Sequence, residues 1–509
     1  MRSMALLLLA AGVLASARAE AHDHGPFAAR TDPAIASRPT AIQSGIGRVH
    51  QKVTTGSSEA QAFYDQGLAH LHSYRWLEAA RSFHQALRLD PRLAMAHLGL
   101  ARAFEGLKDE AAADRELEQA KKLVENASLR ERHYLSVYET KREALRATGA
   151  GRDAAHVRYK RALDALVEED DRDVEAWLLR GNAEEGGAWG RGQGGDASSL
   201  RFYEAALRIA PDHFGAHHYI AHTYENMERP KDAARHAAIY AKAAPDVPHA
   251  RHMYAHTLPR VGRWDEAVSE LEAASALEES FAEREGLPAS HDWHRVHNLT
   301  LLGLAYLRAG RDGDAEKTLR EAFETPIPDP LVQSWHSTWP EFLLLKNRPA
   351  EALEAARTLA SKDSPMSQVV GRALEGEALL DQGNPAGAAA ASDAARERVL
   401  VLQNEDTKDH PRGEALLWVA TEYANVLDAR RALHAKPDAQ WIAFVGQVGD
   451  QIAADPTFDG WGVGWLRLRR LERDARTTNH SGLATRFQAH LQRVIEPSME
   501  PPTEPSNEK

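Results

Sequence analysis

Cysteine is absent from all 509 residues. That one absence excludes a disulfide framework, a thiolate metal site and a cysteine nucleophile together. Long apolar runs are missing too: nothing beyond the first residues approaches the roughly 20 apolar positions a bilayer crossing needs. No Lys/Arg cluster stands out and the formal net charge is -12, so nucleic acid is not expected as a partner. Runs of β-branched residues are scarce, whereas Ala-rich segments recur at helical spacing, and the expected fold class is all-α. The sequence also lacks HExxH, GxSxG and a phosphate loop, so no motif of that kind assigns a reaction.

The chain opens with Arg2, an apolar run from Ala5 to Ala15 and small residues at cleavage spacing, which is the pattern of an export signal over residues 1–19. The mature protein is therefore expected to be exported, periplasmic or secreted, without a membrane span. Cleavage after Ala19 would leave Glu-Ala-His at the new terminus, and cleavage after Ala21 would leave His22. Either terminus could chelate Cu(II) through its amine and imidazole. Residues 20–58 mix Pro, Ser, Thr and Gly without periodicity and read as a flexible linker.

From Gln61 to Pro91 the pattern changes. Gly67, Ala79, Phe83, Ala86 and Pro91 place small, small, aromatic, small and helix-ending residues at fixed intervals. Small residues let two helices approach, the aromatic fills the gap between them, and the proline stops the second helix. This stretch resembles a tetratricopeptide repeat, a 34-residue helix-turn-helix unit. The resemblance implies an α-solenoid, a right-handed superhelix of such units. Repeats are expected over residues 59–125, a degenerate hairpin over 126–172, central repeats over 173–324, degenerate repeats over 325–436, a helical cap over 437–496 and a disordered tail over 497–509. The Gly-rich turn holding Trp189 is longer than the repeat requires and reads as a lid or a tolerated insertion.

Histidines concentrate in the central repeats, where eleven of the chain's 25 lie between positions 213 and 297. His218 and His222 are four residues apart, as are His252 and His256, and the second pair is the first moved on by 34. Residues four apart share a helix face, so the two pairs occupy equivalent faces of sibling helices. With Phe214 and Pro248 as first residues of their units, the pairs stand at positions five and nine, Glu225 at twelve, and His249 and His297 at position two. The resemblance implies that positions two, five, nine, twelve and thirteen line a concave groove. Asn182 and Glu185 take positions nine and twelve one unit earlier, and Arg260 follows the second pair. His217, at position four, reads as a packing residue, and His213 as a helix cap.

Packed helices lie roughly 8–10 Å apart, and imidazole holds zinc at roughly 2.0–2.1 Å. His218, His222, His252 and His256, with Glu225, are therefore the expected metal ligands. His249, His297, Asn182, Glu185 and Arg260 are expected to line the groove. The order of motifs adds a finer resemblance. His213, Gly215, Ala216, His218, His222 and Glu225, then His252, Met253 and His256, then His297 and Asn298, resemble a group of exported bacterial tetratricopeptide proteins. Those proteins carry HPGAxHxxxHxxE, HMPxH and HNxH. Here Phe214 and Tyr254 replace prolines and Thr300 stands in place of the last histidine.

Two readings follow. In one, an exported solenoid binds a divalent transition metal, copper or zinc ahead of iron given imidazole and carboxylate donors, and an open coordination position would permit activated-water or oxygen chemistry. In the other, the groove is a metal-free scaffold for a peptide or protein segment. A small-molecule substrate in the groove belongs with the first. Whether the chain is an enzyme is left open by the sequence.

Overall fold

A computed structural model describes residues 33–149, 151–185, 192–288, 293–326, 332–404, 413–435, 437–455 and 461–495. The signal segment, the chelating termini at His22, Trp189, His291, most of 325–330, Lys436, residues 456–460 and the tail from 496 lie outside the described residues.

Among the described residues there are helices and no strands. In chain order the helices are α1 (Pro33–Ala36), α2 (Ser58–His72), α3 (Trp76–Leu89), α4 (Ala94–Gly106), α5 (Glu110–Lys122), α6 (Leu129–Arg146), α7 (Gly151–Glu169), α8 (Val174–Asn182), α9 (Ala197–Ile209), α10 (Phe214–Asn226), α11 (Pro230–Ala243) and α12 (Pro248–Thr257). They continue as α13 (Trp264–Glu285), α14 (Trp293–Arg308), α15 (Asp312–Glu324), α16 (Thr338–Leu345), α17 (Pro349–Ala360), α18 (Pro365–Asp381), α19 (Pro385–Asn404), α20 (Gly413–His434), α21 (Ala439–Ala453), α22 (Gly464–Thr477) and α23 (Ser481–Ile495). None of these is long and apolar enough to cross a membrane.

The repeat is written in the backbone, at a spacing of 34 residues from Tyr74 to Lys108 and from Glu228 to Gly262, and of 37 and then 36 from Gly310 through Asn347 to Gly383. Left-handed residues stand at the hairpin turns, at Tyr74 and Lys108, then at Glu228 and Gly262, and again at Gly310, Asn347 and Gly383. The next N–H reaches back five residues to close each turn: Arg75 to the His70 carbonyl, Asp109 to Phe104, Arg229 to Tyr224 and Arg263 to Leu258, all at 2.8–3.0 Å. This is the Schellman closure, which satisfies the orphan carbonyls of the first helix. Side chains agree with it. A Cβ on Gly67 or on Gly99 would sit 2.6 or 2.5 Å from the Phe83 ring, so the ring is clasped between α2 and α4. The fold is an all-α tetratricopeptide-type array of helical hairpins. Replacing Phe83 by Ala should cost about 3–5 kcal/mol, read as a drop in the urea midpoint with an unchanged slope.

The chain divides into two compact units. Among the described residues, one comprises 33–257 together with Glu270–Asn298, and the other Leu258–Ser269 with those from Leu299 on. Inside the second, Arg430 and Arg470 are fully buried and paired with Glu377, Arg430 also meeting Asp474 and Asp381, and Arg470 Glu341. Buried charges persist only when paired in this way.

The first unit holds a departure from the linker expected over 20–58. Residues 41–55 run along α2 without regular secondary structure, and their polar groups meet helix side chains. Gln43 N–H donates to Gln66 Oε1 at 2.7 Å, Val53 N–H to Gln61 Oε1 at 3.0 Å and Thr54 N–H to Glu131 Oε1 at 2.7 Å. Tyr64 Oη donates to Gln51 Oε1 at 2.6 Å. The segment has no periodicity because its hydrogen bonds go to side chains of the array, not to a ladder of its own.

Candidate metal centre

α10 begins where His213 caps it: His213 Nδ1 accepts the Ala216 N–H at 3.2 Å, as expected of that position. His218 and His222 follow on one face. α12 begins at Pro248 and places His249, His252 and His256 on successive turns, while α14 brings His294 and His297. All seven rings are buried within the first unit.

Three of them meet. His218 Nε2 lies 3.2 Å from His222 Nε2 and 3.1 Å from His249 Nε2. One donor atom from each of the three lies within 4.8 Å of the others. The ring state of His218 follows from its other nitrogen. Nδ1 is 2.7 Å from the His72 carbonyl, which can only accept, so Nδ1 carries the proton and Nε2 presents its lone pair to the centre. Burial pushes the His218 imidazole down to about 3. Burial also holds His249 well below its usual range, with His218, His294, His252 and His222 adding to the effect. Both rings are neutral at ordinary pH, the form that ligates metal.

Aromatic rings close the site. The Tyr240 ring stacks on His218 at 4.5 Å between centroids, and the Tyr74 ring lies 4.7 Å from His218 and 5.2 Å from His249. Tyr74 occupies the left-handed turn position with φ 55°. A bulky side chain there costs on the order of 1–3 kcal/mol. The Schellman closure imposes the conformation, and the ring it carries is laid over the imidazoles.

A second His/Glu group supports the first. His72 Nε2 meets Glu175 Oε1 at 2.8 Å and its Nδ1 meets the Tyr219 hydroxyl at 2.9 Å, with His213 Nε2 3.5 Å from the same carboxylate oxygen. These three residues could also hold an ion. Their bonds are mutually consistent, however: both His72 nitrogens are engaged, and His213, accepting at Nδ1, carries its proton toward Glu175. The group fixes His72, whose carbonyl orients His218. Gly215 makes the approach possible, since a Cβ there would lie 2.7 Å from His72 Cγ.

The expected ligands divide differently from the sequence reading. His218 and His222 converge with His249, a residue expected only to line the groove. His252 and His256 adjoin His297 and His294 instead, with centroids 4.8 Å apart for His252 and His297 and 4.2 Å for His252 and His294. The reason is register. Position five of one repeat faces position two of the next, so the neighbour of His218 is His249. Glu225 joins the two groups: its Oε1 accepts the His256 Nδ1 proton at 2.7 Å and its Oε2 lies 3.9 Å from His222 Nδ1.

Other expected groove residues are placed elsewhere. The Tyr203 hydroxyl donates to Glu185 Oε1 at 2.6 Å and lies 2.8 Å from Asn182 Oδ1, and Glu185 Oε2 takes the Gly192 and Gly194 N–H groups. They brace the Gly-rich turn. Arg260 belongs to the other unit, in a short turn at Pro259–Val261. His217 bonds to His236 and the Pro211 carbonyl, at 2.9 Å each, a packing role as expected. His294, paired with Glu278 at 2.5 Å, was missed as a member of the cluster, though its spacing of three from His297 signals a shared face. Nothing local in sequence points to Tyr74 or the His72 carbonyl.

No family model matches the chain. Over 110 residues, 21% of its length, it is 36% identical to Protein FlbA of Caulobacter vibrioides, and the match spans 17% of that protein. Among solved structures it is similar to yeast Tom70, at 13% identity and a TM-score of 0.37, over 87% of this chain and 91% of that one. The Cut9-Hcn1 hetero-tetramer of APC/C gives 13% identity and a TM-score of 0.34, over 84% and 76% of the two chains. The P58(IPK) TPR domain gives 14% and 0.21, over 72% and 98%.

Proposed function

We propose that this is an exported tetratricopeptide protein that binds a divalent transition metal through His218, His222 and His249, copper or zinc ahead of iron. One observation carries the reading: the buried Nε2 atoms of His222 and His249 lie 3.2 and 3.1 Å from the Nε2 of His218. The lone pair of His218 can take one well-aligned N–H, yet two nitrogens face it. A cation coordinated by all three would use every lone pair at once and would offset the cost of burying the rings. Three nitrogen donors leave room for a further ligand, which is the arrangement of metal sites that do chemistry. Export rests on residues 1–19.

A tetratricopeptide scaffold also supports a protein-binding role. Against a peptide as occupant of the first repeat stands the chain's own segment 41–55, which already engages Gln61, Tyr64 and Gln66. Metal analysis separates the two readings. The mature chain, purified without a histidine tag, should retain or take up copper or zinc at a fixed ratio after chelator treatment and reloading. A chain that stays metal-free after reloading with both ions contradicts the metal reading and leaves the scaffold.

A further inference from the structure

The three converging rings occupy positions five and nine of one repeat and position two of the next. The following repeat carries histidine at the same three positions: His252 at five, His256 at nine and, in the unit after, His297 at two. The ring spacing is repeated with the residues, while donor atoms within 4.8 Å of one another are found, among the described residues, in the first set and not in the second. In the first set the centroid separations are 4.9 Å for His218 and His222, 4.9 Å for His218 and His249, and 6.1 Å for His222 and His249. In the second they are 5.7 Å for His252 and His256, 4.8 Å for His252 and His297, and 6.2 Å for His256 and His297.

The second set is also oriented by outer partners. Asn298 Nδ2 donates to Ser275 Oγ at 2.8 Å and to the Leu271 carbonyl at 3.2 Å, which fixes its amide with Oδ1 toward His252 Nδ1 at 3.0 Å. That oxygen can only accept, so His252 carries its proton on Nδ1 and keeps its lone pair on Nε2. His256 is set the same way by Glu225, and His294, 4.2 Å from His252 between centroids, by Glu278. Tethering of Nδ1 to a carboxylate, amide or carbonyl is how metal-ligating histidines are held. The seven buried rings, four of them tethered in this way at His218, His252, His256 and His294, exceed the four ligands of a single ion.

We infer that the cluster is a two-ion centre, in which His252, His256 and His297, with His294 beside them, form a second transition-metal site generated from the first by the 34-residue repeat. This rests on the metal reading of the first triad. Glu225, hydrogen-bonded to His256 and within 3.9 Å of His222, links the two sites, and a carboxylate there would carry part of the charge of two cations.

The test is a Zn(II) titration of the tag-free mature chain, with bound zinc counted after gel filtration, for the wild type, His218→Ala, His252→Ala and the milder His297→Gln. Circular dichroism checks that each variant is folded, and His297→Gln serves should His252→Ala fail to fold. The expected result is two equivalents in the wild type and one in each variant. One equivalent in the wild type, lost in His218→Ala and kept in His297→Gln, overturns the second site and leaves the first. No bound zinc in any form, and no bound copper when the titration is repeated with Cu(II), overturns both.

Discussion

His218→Ala is expected to weaken metal binding at the first triad by roughly 100-fold or more, because even an outer-shell partner is commonly worth 10–100-fold and here a ligand itself is removed. His218 is the ring shared by both short nitrogen contacts, so no pair that remains has the same convergence. The matched control is His217→Ala. That ring is on the same helix, one residue away, but bonds to His236 and the Pro211 carbonyl. Isothermal titration of the chelator-treated chain should show the loss in the first variant and unchanged affinity in the second. Equal affinity in both variants would remove His218 from the site.

Metal-free protein is expected to lose much of its stability on mild acidification. Burial pushes His70, His218 and His294 each down to about 3, against about 6.5 in an unfolded chain. Between those values the unfolded state binds more protons than the folded state, so stability is full above pH 6.5 and falls as pH decreases through the window. At pH 5.5 each such ring costs about 1.4 kcal/mol, and the three together roughly 4 kcal/mol, a large share of the 5–15 kcal/mol that folded domains have to lose. Urea unfolding at pH 7.5 and pH 5.5 reads this directly. His70 lies apart from the candidate ligands, and neither of its ring nitrogens has a hydrogen-bond partner among the described residues. His70→Leu should therefore relieve about a third of the acid penalty without touching metal binding. An unfolding midpoint that does not move with pH would contradict the neutral, buried state of these rings.

The repeat was legible in the sequence because packing writes it there: Gly67, Gly99 and Phe83 are fixed by one close contact, and a contact repeated at each hairpin gives a period. The face of each histidine was legible for the same reason, since position within a 34-residue unit determines orientation. Which histidines meet was not. That depends on how one helix slides against the next, and the offset that pairs position five with position two is a property of the packed stack, invisible in the spacing of either helix alone. The covering Tyr74 ring and the His72 carbonyl come from a hairpin 146 residues before His218. The segment at residues 41–55 left no signal of its own, because its order is supplied by Gln61, Gln66 and Glu131 on helices elsewhere.

X-ray absorption at the zinc edge of the reloaded, tag-free chain tests the central claim most directly. The account predicts nitrogen neighbours at about 2.0–2.1 Å with the outer-shell scattering of about three imidazole rings per ion. A shell of oxygen neighbours without the imidazole pattern would contradict it.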